Sequence, residues 1–454
     1  MSELDLGVLG AVVVTPSGRA RRHLYVRQGR VAALTPERLD ASRTVDATGL
    51  YLLPGMVDTH VHLMDPGPTE REDFPTGTAA AAANGVTTIV EHTHAHPVRT
   101  VRDLDEKRRY LRGRAHVDHG LAAHVWPDQI GRLGELWAAG AAFFKIFTCT
   151  THGVPGLDAA RLLAALEDLS RAGATALIHC EDESLTEEAG RALREAGRQD
   201  GAVLFEWRSR EAELVAAQTA ALLTGITGAR ATIAHVSHPA VADRVAAERA
   251  AGADVAAEAC PQYFLLREHE VLDKGAFRKF TPPARARTGA DEEAMWARLR
   301  GGVLTHVSTD HAPATREQKG RGIWEAEFGL PGLDTTLRLL IDTALRGGLA
   351  LEDVVRVYAE RPARRYGLWP RKGTLAVGAD ADLVLVDPEP TSVLRDEEVI
   401  SKAGWTPYAG RQVRGAIRST YLRGELLAED RRLVRGLGGR FLPGPGAPTP
   451  SDQE

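Results

Sequence analysis

Cysteine is scarce in this chain: Cys149, Cys180 and Cys260 are the three in 454 residues. An odd, dispersed set argues against a disulfide framework, and each is read as a small buried hydrophobe. No apolar run reaches the ~18–20 residues that would span a bilayer. Blocks of like charge are missing too. With a formal net charge of −5, the chain lacks the basic excess that a nucleic-acid surface needs. The first residues, MSELDLGVLGAVVV, lack the basic n-region and small-residue cleavage site of a secretory signal. These absences point to a cytoplasmic enzyme with a small-molecule substrate and neither nucleic acid nor membrane as partner.

Hydrophobic residues make up 43% of the chain, enough for a large core. Its middle repeats one theme, a short apolar or β-branched run ending in a polar, often His-bearing segment and followed by an Ala/Leu/Arg helix. The runs are GMVDTHVHL, VTTIVEH, HVDHGLAAHV, AFFKIFT, TALIHCE, ATIAHVS, ADVAAEAC and GVLTHVST. Strands alternating with helical patterns give βαβ units and a parallel sheet, and eight of them predict a closed (β/α)8 TIM-like barrel within the α/β class. Both flanks read as strands and turns without helical periodicity, which predicts one small β-sandwich domain made from both termini. The expected division is 1–53 and 369–436 for the small β domain, 54–368 for the barrel, and a Pro/Gly-rich tail, 437–454, disordered in part.

Chemistry-bearing residues cluster at the expected strand ends. His60 and His62 are two apart on a strand, so both imidazoles share a face and can reach one ion, although a lone HxH is weak evidence. Lys145 lies in AAFFKIF, where a bare ammonium is costly. It must pair, shift its pKa or be modified, unless its head reaches the barrel rim. His179, His235 and Asp310 each follow an apolar run at the ends of strands five, six and eight, on the face that forms the active site in such barrels. Singly, each is as well explained as a satisfied polar group. Four imidazoles, a carboxylate and a lysine on one face are not.

With these residues in place, the pattern resembles the amidohydrolase superfamily, and within it the cyclic amidohydrolases: dihydroorotases, allantoinases and hydantoinases/dihydropyrimidinases. The resemblance runs through LLPGMVDTHVHLMDPG, FFKIF, HCEDE, AHVS, EACPQYFLL, FTPPAR, STDHAP, FGLPGLDTTL and KGTLAVGADADLVLVD, nearly the whole chain. It implies two divalent metal ions, usually zinc. His60, His62 and Asp310 would hold the first, His179 and His235 the second, and N-carboxylated Lys145 would bridge them. A bridging hydroxide would attack the ring amide, with Asp310 as general acid–base. The same resemblance implies a homo-oligomer, a dimer or tetramer. Glu181 is expected to support the metal ligands from behind.

Departures from each subgroup bear on the substrate. Where dihydroorotases grip a carboxylate with Arg, Asn and His, this chain has Met64, His94 and Ala314, which disfavours that substrate. The loop after Lys145, FTCTTHGVPG, lacks the Tyr of hydantoinases, whereas Gln262 in CPQY resembles them. The echo of an allantoinase pattern in Lys145 and Cys149 makes allantoinase-like ring opening the favoured reading. Hydantoin or dihydropyrimidine hydrolysis, dihydroorotase-type activity, another lactam or cyclic ureide, and the reverse ring closure stay as alternatives. A non-enzymatic scaffold is disfavoured because all six ligand types are retained, and a mononuclear deaminase because Lys145 is present. Substrate contacts are expected from Met64, His94, Thr150, Gln262, Pro283 and Ala314. In EHTHAHP, His92, His94 and His96 share strand period. One of them contacts substrate in one reading and all belong to a polar loop in the other. A third metal site is not expected at these histidines. His152 either faces substrate or solvent.

Overall fold

The computed structural model describes residues 4–92 and 94–448. Strands β1 (Leu6–Thr15), β2 (Gly18–Arg27), β3 (Arg30–Thr35), β4 (Arg43–Asp46) and β5 (Tyr51–Pro54) come from the N-terminal end. The barrel then supplies β6 (Met56–Val61), β7 (Val86–Glu91), β8 (Asp118–Leu121), β9 (Ala123–His124), β10 (Phe144–Phe147), β11 (Thr175–His179), β12 (Arg230–Ile233), β13 (Asp254–Ala259) and β14 (His306–Val307). The C-terminal end returns as β15 (Leu383–Val393), β16 (Gln412–Leu422), β17 (Glu425–Glu429) and β18 (Arg432–Leu433).

The two ends form one nine-stranded sheet in the order β18-β17-β16-β15-β5-β1-β2-β3, with β4 beside β1. The join is antiparallel, Val384 opposite Leu53 and Leu385 opposite Leu52. Leu6, Val8, Val13, Leu24, Val26, Leu52, Leu383 and Leu385 make a core of their own, separate from the barrel's. Parallel pairing carries the barrel as β6-β7-β8 and β9 through β14. β8 and β9 are one strand interrupted at Ala122, whose N–H turns to the carbonyl of Glu91. Closure comes from the His62 N–H donating to the His311 carbonyl at 2.8 Å, beside a Val61–His311 bridge. The eight strand positions are those of the eight apolar runs, and the barrel with its small β domain is as expected. Among the described residues, no helix is long and apolar enough to cross a membrane.

Local sequence explains the intervening helices. The helix Ala159–Ala172 starts at Asp158, whose carboxylate accepts from the Arg161 N–H, and stops at Gly173 in the left-handed region. The helix Pro239–Ala250 is capped by His238 and opens on a proline.

Of the Pro/Gly-rich tail expected to be disordered in part, residues 438–448 are packed against the barrel, while 449–454 fall outside the described residues. The His119 N–H donates to the Arg440 carbonyl at 2.9 Å and the Leu442 N–H to the His119 carbonyl at 2.8 Å. Glycine here permits close approach: a Cβ on Gly439 would meet the Val117 carbonyl at 2.0 Å, and one on Gly444 the Ala141 carbonyl at 2.0 Å.

Below this strap lies a buried ion cluster that joins barrel to sheet. Lys372 Nζ sits 2.6 Å from Asp118, 2.8 Å from Asp382 and 3.0 Å from Asp380, and Arg423 also faces Asp118. Burial raises the Asp382 carboxyl, so its charge depends on the lysine. Removing one partner of a buried pair strands the other charge, which costs about 3–5 kcal/mol. Lys372→Met is therefore expected to lower unfolding free energy by about that amount in urea titration, and a change under ~1 kcal/mol would show that the cluster does not hold the two cores together.

Candidate metal centre

Six side chains converge at the C-terminal mouth of the barrel. His60 lies next to the end of β6 and His62 just beyond it, Lys145 lies in β10, His179 ends β11, and His235 and Asp310 follow β12 and β14. Asp310 Oδ1 lies 3.2 Å from His60 Nε2 and 3.5 Å from His62 Nε2. Lys145 Nζ lies 3.2 Å from His60 Nε2, and His179 Nδ1 lies 2.9 Å from His235 Nε2. All six line one cavity of about 260 Å³.

Three of the four imidazoles are oriented from behind, and His235 Nδ1 is buried without a hydrogen-bond partner. His60 donates through Nδ1 to Glu258 at 2.6 Å, His62 through Nδ1 to the His92 carbonyl at 3.0 Å, and His179 through Nε2 to Glu181 at 2.8 Å. The protonated nitrogen of each of these rings therefore faces outward, which leaves a lone pair on the other to face the cavity. Glu181 also accepts from Thr281 at 2.6 Å and Arg208 at 3.1 Å, the supporting role expected of it. Asp58 ties together the segments that carry His60 and Asp310 by accepting from the His60 and Thr309 N–H groups, both at 3.2 Å, and from the Tyr358 hydroxyl at 2.8 Å.

The electrostatics match. Burial holds the Lys145 amine down to about 8 and His62 down to about 4. Burial alone would raise Asp310, but His60, with His62 and His235, holds it below the usual carboxylate range. Four imidazoles, a carboxylate and an amine drawn down by burial are a donor set that suits divalent cations of the zinc, manganese or cobalt type. Cys149 and Glu181 also come within 4.8 Å of His179. They make poorer ligands, because burial pushes the Cys149 thiol up to about 12 and three donors already occupy Glu181.

Backbone conformation marks the same place. His235, Asp310, Met64 and His152 all adopt positive φ, at 37°, 49°, 56° and 54°. Such non-glycine residues cost on the order of 1–3 kcal/mol each and persist where surrounding structure over-determines them.

Of the residues expected to face substrate, Met64 and His94 line the cavity, and so does His152, whose ring stacks on His94 at 4.8 Å. Thr150, Gln262, Pro283 and Ala314 do not. Thr150 turns away to a neighbouring groove, where its N–H meets Glu183. Gln262 is buried in the short helix Gln262–Leu265. Thr281 takes the place expected of Pro283 and Ala312 that of Ala314, whose carbonyl accepts from Trp405 Nε1 at 2.8 Å. Lining follows local loop direction, which residue type does not encode.

Sequence reasoning missed the far wall, Glu327 to Gly329, and the cations that fix it. Lys279 Nζ donates to the carbonyls of Trp324 at 3.0 Å and Ala326 at 2.6 Å, Lys319 Nζ to Glu327 at 2.8 Å, and Arg71 to Phe328 at 3.3 Å. Gly329 has φ +108° and passes so near Ala312 that a Cβ would lie 2.2 Å from its carbonyl oxygen. Glu258 was missed as well. Its signal was available: a carboxylate in the apolar run ADVAAEAC, as Lys145 is in its own run.

A family model, the amidohydrolase family, matches residues 51–427. An allantoinase of Rubrobacter xylanophilus is 36% identical over 97% of this chain and 98% of its own length. A dihydroorotase of Halobacterium salinarum is 35% identical over 86% of this chain and 92% of its own. Among solved structures, the L-hydantoinase (dihydropyrimidinase) of Arthrobacter aurescens superposes with a TM-score of 0.92 at 29% identity, covering 97% of this chain and all of that one (100%).

Because Lys319 Nζ ties the wall to the Lys279 carbonyl by donating to both it and the Glu327 carbonyl, Lys319→Met is expected to displace the wall. A shift of ~1 Å can cost up to 10²-fold in turnover. Expected is at least a tenfold fall in kcat/KM with metal content unchanged. Unaltered kcat/KM would show that the wall does not position substrate.

Proposed function

This chain belongs to the amidohydrolase family, and from that premise we propose that it opens the ring of allantoin or a close cyclic ureide with two divalent ions, zinc in the first instance. The observation that carries the reading is the meeting of His60, His62, Lys145, His179, His235 and Asp310 at one cavity floor, with ring nitrogens oriented from behind. His60, His62 and Asp310 would hold one ion and His179 and His235 the other, with Lys145, carboxylated at Nζ, between them. Bound there, such ions supply Lewis acidity toward the ring carbonyl and lower the pKa of water.

The chain's own residues do the rest. Carboxylation removes the cost of burying an ammonium at Lys145. The Asp310 carboxylate, poised among His60, His62 and His235, takes a proton from the attacking water and gives it to the ring nitrogen as the C–N bond breaks. Phe147, Phe328 and Met64 exclude water, while His94, His152 and Arg71 offer polar groups to a substituent on the ring. The recurrence of allantoinases at 30–36% identity supports this substrate over others. The L-hydantoinase match at a TM-score of 0.92 favours a simple hydantoin as the second reading. A homo-oligomer is supported by an exposed apolar stripe of Val215, Leu222 and Ile226 along the helix Arg210–Thr227.

Metal analysis is expected to find about two divalent ions per chain. Lys145→Ala should lose one or both ions and all measurable turnover, with partial return on adding short carboxylic acids. Full activity of Lys145→Ala would remove the bridging role. In a panel of allantoin, hydantoin, dihydrouracil and dihydroorotate, allantoin is expected to give the highest kcat/KM. Robust turnover of dihydroorotate would overturn the reading of Met64, His94 and Ala314.

A further inference from the structure

Of the three histidines in EHTHAHP, His92 alone lines neither the metal-site cavity nor the larger groove beside it. Its ring points into the barrel just past β7, with 1% exposure. Both ring nitrogens are buried without a hydrogen-bond partner. Leaving such a group unmet costs about 1–3 kcal/mol, and folded proteins do so rarely.

The surroundings of this ring are specific. Its centroid lies 4.4 Å from that of His62 and 4.5 Å from that of His60, with Phe143 at 5.5 Å. Ligating nitrogens of His60, His62 and His92 come within 4.8 Å of one another, the spread of donors around a single ion. His62 Nδ1 already donates to the His92 carbonyl, so the backbone at residue 92 is anchored to the site. His119 is an instructive contrast. It is equally buried with both nitrogens unpartnered, but the rings about it are Phe74 at 5.2 Å and Phe441 at 6.1 Å, and no ligating group includes it. Unmet nitrogens alone do not distinguish the two histidines. What they face does.

We propose that His92 is a further imidazole ligand of the metal centre, on the ion shared by His60 and His62. This rests on the metal centre proposed above and adds one donor to it. Glu91, the carboxylate within EHTHAHP, is paired with Lys107 at 2.5 Å, and His60 and His62 supply the neighbouring donors instead. A third neutral imidazole donor would make that ion the more tightly held of the two.

Cobalt(II) loading tests this without reference to turnover. Wild type, His92→Leu and His119→Leu are loaded with cobalt(II) and titrated with a chelator while visible absorption is followed. Wild type and His119→Leu are expected to lose their ions in two steps at the same chelator concentrations. His92→Leu should release one ion at least tenfold more readily and show an altered absorption band. Identical titrations and spectra for His92→Leu and wild type would overturn the assignment while leaving the metal centre intact. Failure of wild type to bind cobalt(II) at all would overturn both. Should His92→Leu not fold, proton NMR of cobalt(II)-loaded wild type decides. Paramagnetically shifted imidazole N–H signals from about five histidines support the assignment, and signals from about four overturn it.

Discussion

The site depends on hydrogen bonds made behind the rings rather than in front of them. Glu258 holds His60, the His92 carbonyl holds His62, and Glu181 holds His179. An imidazole can point either nitrogen, or swing aside, until a partner settles which one carries the proton. With outward nitrogens engaged, the remaining lone pairs face one small volume around Lys145 and Asp310. Remove the partners and the same residues would be a loose set of buried polar groups, each costing stability.

That arrangement also explains why Lys145 is tolerable. Among the described residues, this fully buried lysine beside four imidazoles has no carboxylate hydrogen-bond partner, and burial draws its amine down to about 8. A neutral amine is the nucleophilic form toward carbon dioxide, and its product is an anion suited to lie between cations. The positive φ values at His235 and Asp310 fit the same picture. Strain at these two positions is held by the packed barrel around them.

Much of this was legible in sequence, for identifiable reasons. Period-two placement put His60 and His62 on one face, and a polar residue closing each apolar run marked His179, His235 and Asp310 as strand ends. Lys145 stood out because charge in an apolar strand requires an explanation, and Glu258 carried the same signal in β13. The far wall was not legible. Lys279, Lys319 and Arg71 act on backbone carbonyls of a loop distant in sequence, and no periodicity encodes such pairs. Pro283 and Ala314 sit two residues from cavity-lining positions, but loop direction turns Thr281 and Ala312 to the cavity instead, and Gln262 is buried away from it. The packing of 438–448 was not legible either, because glycine and proline suit disorder and close backbone packing alike.

Carbon-13 NMR of protein loaded with metal in labelled bicarbonate is the most direct test of a carboxylated lysine at the centre of this site. One carbamate resonance is expected in the wild type, absent from Lys145→Ala. A wild-type spectrum with no such resonance, in protein that retains both ions and full turnover, would contradict it.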